Sequence, residues 1–341
     1  MWVPLANRSL TLEFRYVDFS VIMIHRFIQS GWLTLSLCGM YCLIMAPFAS
    51  GFATFENAGN VLVAMLPLMV VASGQTIVLI AAGIDLSVTS IIALTSVAGA
   101  ALITSDGGPL AGNALATPLA IILMISLGCF IGFTSGACIA WLRMPPFIVT
   151  LTAMMFLSGL AVWWTQSKAI YNLPTSFLFL GKNAWASLTI TSMVVIGIQW
   201  MLSYTLLGMR LRAVGNNAQT ARVSGIQVNR IVIIAYVLCG ACAAIASILI
   251  TGQLETGSPI QWENNLLDVI GATVIGGTSL YGGRGNTLWT VSGVLLLALI
   301  DNSLNLLNFS YFSIMIAKGA VILLAALLDT LRHRIAGATR S

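Results

Sequence analysis

Residues 61–104 read VLVAMLPLMVVASGQTIVLIAAGIDLSVTSIIALTSVAGAALIT, and Asp85 is the only ionisable side chain in that whole length. A helix rises about 1.5 Å per residue, so about 20 apolar residues cross roughly 30 Å of hydrocarbon. The stretch therefore predicts two membrane helices, 58–82 and 86–104, folded back through Gly83-Ile84-Asp85-Leu86-Ser87 with almost no loop. Non-helical backbone at membrane depth is tolerated only under protein or around a water-filled cavity. Asp85 in such a break needs partners, for which nearby backbone amides and Ser87 are available. Alternatively it caps the second helix, its carboxylate taking the first free N–H groups. The capping role is preferred to substrate contact.

The same reading extends outward in both directions. Apolar runs at 31–49, 118–141, 147–166, 186–206, 231–251, 265–281, 286–306 and 312–331 bring the expected spans to ten. The whole chain of 341 residues agrees, with 58% hydrophobic and 7% charged residues and a mean hydropathy of +0.97. Soluble proteins carry about 25% charge, which excludes a soluble enzyme, a nucleic-acid-binding domain and a disordered chain. An all-α integral membrane protein follows, with a segment 1–30 ahead of a transmembrane domain 31–331 and a tail 332–341.

Ten spans place both termini on one side. Twelve of the fifteen cations, all arginines from Arg8 to Arg340, fall on that side, only Lys168 and Lys182 fall opposite, and Lys318 lies within a span. The positive-inside rule then makes both termini cytoplasmic. The first segment lacks the pattern of a signal peptide. It reads as cytoplasmic, with Leu10, Phe14, Val17 and Val21 at the spacing of a helix lying on the membrane.

The longest inner loop, about 207–230, carries four arginines. Asn216-Asn217 can start a helix, Ala218, Ala221 and Val223 can continue it, and Gly225 can end it in a left-handed conformation. A two-turn helix presenting Thr220 and Arg222 suits docking of another protein, whereas a loop that only fixes topology would need nothing but its arginines. A second break, Gly276-Gly277-Thr278-Ser279-Leu280-Tyr281-Gly282-Gly283-Arg284-Gly285, has phosphate-loop glycine spacing but no lysine and hydroxyl pair to hold phosphates and magnesium. Gly181-Lys182-Asn183 does not supply them. No nucleotide-binding, catalytic, cofactor or metal site is expected, with His25 and His333 both near the inner face.

Gly128, Gly132 and Gly136 form a small-residue face for close helix packing. Cys239-Gly-Ala-Cys242 spells a redox motif but sits mid-span, where packing is the expected role. Trp163 and Trp164 read as interfacial anchors. Ionisable groups inside a bilayer are functional candidates by default. A hairpin turning near Asn308-Phe309 puts Asp301 and Lys318 at similar depth, which predicts an ion pair between them. Proton coupling would instead need a carboxylate titrating in an accessible cavity. Gln75, Asn302 and Asn305 are polar residues in or beside spans. They are candidates either for a translocation path or for hydrogen bonds between helices.

Taken together, Gly83-Ile-Asp-Leu-Ser-Val88, Pro145-Pro-Phe-Ile148 with Thr150-Leu151, Gly215-Asn-Asn217 with Ala221-Arg-Val-Ser-Gly-Ile226, and Gly276-Gly-Thr-Ser-Leu280 with Gly282, Gly283 and Gly285 resemble the permease subunit of bacterial ATP-binding-cassette importers for simple sugars. The resemblance covers about 58–331. Thr89 and Thr152 depart from the smaller residues common at those places. The resemblance implies a ten-helix permease similar in fold to the vitamin B12 importer, in the bacterial inner membrane. It implies pairing with a second permease subunit, cytoplasmic ATPase subunits that hydrolyse the ATP, and a periplasmic sugar-binding protein. It also implies that Asn217, Ala218, Thr220, Ala221, Arg222, Ser224, Gly225 and Ile226 form the ATPase-coupling helix. The loops 105–117, 167–185 and 252–264, with Glu255 and Glu263, become the surface for the binding protein. A secondary transporter or channel for a small polar solute is the competing reading, separated by its energy source.

Overall fold

The computed structural model of the chain describes residues 32–260 and 262–338. The expected inner segment 1–30, with its amphipathic residues, and Arg340 lie outside the described residues. Among the described residues the structure is all-helical apart from one isolated bridge between Ile170 and Gly257. In chain order the helices are α1 (Trp32–Met45), α2 (Phe55–Ile80), α3 (Val88–Ile103), α4 (Ala116–Trp141), α5 (Pro146–Thr165), α6 (Thr175–Lys182) and α7 (Ala184–Tyr204). They continue as α8 (Leu206–Asn216), α9 (Ala218–Val223), α10 (Val228–Leu254), α11 (Leu266–Ile275), α12 (Thr287–Leu306) and α13 (Tyr311–Ala338).

Each expected span contains a helix, but the lengths differ. Among the described residues, α2, α4, α5, α7, α10 and α12 are both long and apolar enough to cross a membrane. The expected span 265–281 is a correction: α11 has 10 residues, about 15 Å of rise, and ends at Gly276 where the glycine-rich break begins. Its expected apolar run continues into the break as far as residue 281, which is why hydropathy alone overstated it. At the other end, α13 runs to Ala338, beyond the expected boundary at 331. Most of the expected inner loop 207–230 is also helical: ahead of α9, α8 occupies Leu206–Asn216 and buries Gly208, Leu211, Val214 and Gly215. Likewise the outer loop 167–185 contains α6.

Apolar composition does not distinguish the helices, yet their environments are opposite. α2 and α10 are enclosed by protein along most of their length, while α4, α5 and α7 present Phe130, Phe133, Phe156, Met193, Ile196 and Trp200 outward. A helix apolar all round is either core or lipid-facing, and the bundle contains both kinds. Trp163 and Trp164 are exposed near the end of α5.

The principal helix contact is α4 against α10. A β-carbon on Gly128 would strike the Gly240 backbone, one on Gly132 the Tyr236 carbonyl, and one on Gly136 would lie 2.9 Å from the Ile233 Cα. The three glycines thus let the two backbones touch, the mode by which membrane helices gain dispersion contacts without a hydrophobic drive. Hydroxyl bonds add further cross-links: Ser96 to Thr251 at 2.6 Å, Thr76 to Thr290 at 2.8 Å, and Ser247 Oγ donating to the Ile92 carbonyl at 2.9 Å. Cys239 and Cys242 are free thiols buried on α10, as packing requires.

Candidate functional site

The α2–α3 break spans residues 81–87, and its backbone at Ile84 and Asp85 is hydrogen-bonded by side chains from three helices. Tyr236 Oη on α10 donates to the Ile84 carbonyl at 3.1 Å, and Thr150 Oγ1 on α5 approaches the same oxygen at 3.4 Å. Gln75, its amide turned so that donor meets acceptor, pairs with both the N–H and the carbonyl of Asp85 at 3.2 Å each. This answers how the break survives at depth, since an unpaired buried backbone group costs as much as a lost hydrogen bond. Of the two roles expected of Gln75, this is the hydrogen-bonding one, and the side chain is fully enclosed in this conformation. Asp85 Oδ1 accepts from the Ser87 N–H at 2.9 Å and the Ser87 hydroxyl at 2.6 Å. Ser87 itself precedes α3 and makes no side-chain cap bond. The carboxylate therefore closes a turn ahead of the helix and does not cap the free N–H groups of the α3 first turn. Its Oδ2 is buried without a partner among the described residues.

The second break runs from Gly276 to Asn286, with Gly277, Gly282 and Gly283 all at positive φ. Here the sequence reading had missed a junction. Gly283 N–H donates to the Ile80 carbonyl at 2.9 Å, joining the second break to the end of α2. Gly215, at the end of α8, sits where a β-carbon would collide with that same Ile80 carbonyl and lie 2.6 Å from Gly283 N. Gly282 is equally tight against Ala82 and the Gly215 carbonyl. Three segments far apart in sequence therefore meet backbone to backbone, with Asn216 and α9 immediately following. Arg212 clamps the same region, donating to the Leu202 carbonyl at 3.0 Å and to Gly285 at 3.4 Å.

α9 matches the expected coupling helix in shape. Asn217 Oδ1 accepts from the Thr220 N–H at 2.9 Å as the N-cap, Gly225 follows at φ +82°, and Ala221 alone is buried. Thr220, Arg222, Val223 and Ser224 face outward. Beside it lies an open groove of about 560 Å³ with Arg143, Arg222 and Arg230 in its wall.

At the opposite end, the expected Asp301–Lys318 pair exists, but it is the lesser half of a triad. Lys318 Nζ donates to Asp268 Oδ2 at 2.6 Å and to Asp301 Oδ2 at 3.2 Å. Asp268 and Lys318 are nearly enclosed, whereas the Asp301 side chain is 46% exposed. The missed partner had left a signal, an acid inside the apolar run of α11, and a buried acid needs a cation. Two cavities of about 310 and 300 Å³ flank this triad and share Asn265, Asp268, Asp301 and Asn305 in their walls. Asn302 and Asn305 do line the larger one. Asn302 is also held in a reciprocal amide pair with Asn57 at 2.8 Å in both directions, and Asn305 donates to the Asp301 carbonyl at 2.8 Å.

The loops at this end are tied together. Ile170 and Gly257 exchange two backbone bonds, Thr104 Oγ1 donates to the Tyr171 carbonyl at 2.7 Å, and Asn172 donates to Asp106 at 2.8 Å. Glu255, expected to await a partner's arginine, is paired to Lys182 at 2.7 Å with both side chains half exposed. Such an exposed pair contributes only about 0–1 kcal/mol, so it does not bar exchange for another cation.

A multi-spanning helical bundle with two breaks held by its neighbouring segments, a capped helix at an arginine-rich end and a chamber bearing carboxylates and amides at the other is built to pass a solute. Residues 57–327 match the family described as branched-chain amino acid transport system / permease component, and the chain belongs to it. It is the permease subunit of an ATP-binding-cassette importer, and a multi-pass membrane protein. The chain is 35% identical to the ribose import permease protein of Escherichia coli strain K12, over 89% of this chain and 96% of that one. It is 33% identical to the L-arabinose transport system permease protein of the same organism, over 85% and 87%. It is 30% identical to the autoinducer 2 import system permease protein of Salmonella choleraesuis strain SC-B67, over 83% and 81%. No solved structure matches the chain.

Proposed function

We propose that the chain moves a monosaccharide or related polyol across the bacterial inner membrane by alternating access, driven by ATPase subunits that dock on α9. The cargo of its relatives supports the substrate class. The observation that carries the mechanism is the junction of Gly215, Ile80 and Gly283, because it links the docking helix to both breaks without a flexible side chain. Closure of the ATPases would displace Asn217 to Ile226, and with them the inner ends of α2, α11 and α12. Those three helices frame the chamber at the far end, so the displacement reaches the cargo side through rigid elements. The permease breaks no bond and contributes two packings whose relative stability its partners bias.

In this reading both termini are cytoplasmic, which agrees with the arginines around α8, α9 and the second break. Ten membrane segments arise if α1, α3, the broken α11 and α13 are counted with the six long helices, an arrangement like that of the vitamin B12 importer. A second permease subunit completes the pathway, and the knitted loops 105–117, 167–185 and 252–264 receive a periplasmic sugar-binding protein.

Proteoliposomes holding the permease, its ATPase and the binding protein test the proposal with radiolabelled D-ribose and L-arabinose. Uptake is expected to require ATP inside the inward-facing side and loaded binding protein outside. Uptake that tracks a proton or sodium gradient in the absence of ATPase would replace this reading with a secondary transporter.

A further inference from the structure

We propose that the larger chamber, between α2, α11 and α12, is a low-affinity binding site for a neutral polyhydroxylated molecule, with Asp268 and Asp301 as acceptors for its hydroxyls and Trp262 along one face. The proposal deepens the importer reading and rests on it for the class of cargo. Its independent support is the chemistry of the wall.

At about 310 Å³ the chamber lies at the small end of the range for small-molecule sites, about 300–1,000 Å³. A sugar presents hydroxyls that both donate and accept on a ring whose C–H faces are apolar. The wall offers carboxylates as pure acceptors, amides at Asn60, Asn265 and Asn305 as donors and acceptors, and Trp262 as a flat apolar surface. Asp301 Oδ1 and the side-chain amides of Asn60 and Asn265 make no hydrogen bond with the described residues, so this capacity is unspent. Val61, Met65, Leu68 and Leu297 complete the lining.

Lys318 explains why the ligand is neutral. It sits outside this chamber, in the wall of the neighbouring one, and holds the Oδ2 atoms of both aspartates from behind. Its charge keeps two close carboxylates in place, while the chamber wall itself holds no cation. An anion would face those acceptors directly. A cation would compete with Lys318 for them, whereas hydroxyls can donate to Oδ1 without disturbing the pairing. Few strong contacts and no enclosure on all sides fit a station from which release is easy.

The test uses the full permease–ATPase complex in lipid nanodiscs, with Ala64→Cys, a chamber-lining position, as reporter. A hydrophilic maleimide is applied, and peptide mass spectrometry separates labelling at 64 from that of the native cysteines. The probes are D-ribose, L-arabinose and ribitol, with betaine at equal osmolality as control. A probe at about twice its Kd is expected to slow labelling about threefold by occupancy, and Asp301→Asn is expected to remove that protection. Equal rates with and without all three probes overturn the proposal, as does protection that survives Asp301→Asn. Slowing by sodium or potassium chloride with none from the sugars also overturns it and assigns a cation site. ATP-driven uptake without protection leaves the importer standing and removes this site. Protection sensitive to Asp301→Asn, with uptake that follows an ion gradient, leaves the site and removes the importer.

Discussion

Replacing Gly215 by alanine adds one methyl group at the point where three backbones meet. The nearest atoms to the new β-carbon are the Ile80 carbonyl, Gly283 N at 2.6 Å and the Ile80 carbonyl carbon at 3.0 Å. All are main chain, so no rotamer change relieves the contact, and α8 must move away from both breaks. That movement parts the Gly283 N–H from Ile80, a 2.9 Å bond whose loss with the groups left buried costs about 1–3 kcal/mol. Overpacking adds about 1–3 kcal/mol. The total, about 2–6 kcal/mol, falls on the connection between α9 and the break-bearing helices. The expected result in proteoliposomes is ATP hydrolysis that persists while sugar moved per ATP falls at least about tenfold, the ratio that about 1.4 kcal/mol already produces. Gly159→Ala and Gly197→Ala are the controls, since both glycines are helical with nothing within 4 Å of a new β-carbon. They should be neutral or stabilise by about 0.5–1 kcal/mol. Coupling and thermal stability of Gly215→Ala equal to those of the controls would refute the junction as the transmitting element.

Other perturbations read other parts of the molecule. Asn217→Ala removes the α9 cap at a cost of about 0.5–2 kcal/mol and should weaken ATPase copurification, while Asn217→Gly should lose only a few tenths. Gly132→Val drives a branched side chain into the α10 backbone at Tyr236 and should leave little folded protein by fluorescence-detected size exclusion. Lys318→Met leaves two carboxylates without their cation and should destabilise by about 3–5 kcal/mol, read as a lower unfolding temperature in a thermal-shift assay that Asp268→Asn together with Asp301→Asn largely restores. Tyr236→Phe deletes the hydroxyl that satisfies the Ile84 carbonyl and should cost about 1–3 kcal/mol by the same assay, without altering the fold.

Hydropathy made the spans legible because lipid demands continuous apolar length, and the two glycine-rich breaks announced themselves by interrupting it. The capped α9 was legible too, as Asn217 and Gly225 carry signals that act within a few residues. What escaped was whatever depends on distant partners. α8 was hidden because its buried face, Gly208, Leu211, Val214 and Gly215, is interleaved with Arg210 and Arg212, which hydropathy reads as loop. Asp268 lies 50 residues from Lys318, so chain geometry gave no depth for it as the short hairpin did for Asp301. The pairing of Glu255 with Lys182 and the enclosure of Gln75 likewise follow from packing between remote helices. The meeting of Gly215, Ile80 and Gly283 has no periodic signature, since Gly215 lies in the last turn of a helix and Gly283 is explained locally by its own turn.

α2 runs from the chamber at Asn60 to the junction at Ile80, twenty residues or about 30 Å of helix. Its two ends carry information of different kinds. At the junction the contacts of Gly215 and Gly283 with Ile80 are main chain to main chain, so the drive rests largely on backbone shape. At the chamber the wall is made of exchangeable side chains. If the chamber is the cargo station proposed above, a new cargo is selected by substitutions at Asn60, Trp262 or Asn265 without retuning the response to ATP, and relatives named for ribose, arabinose and autoinducer 2 are what such a division of labour would generate.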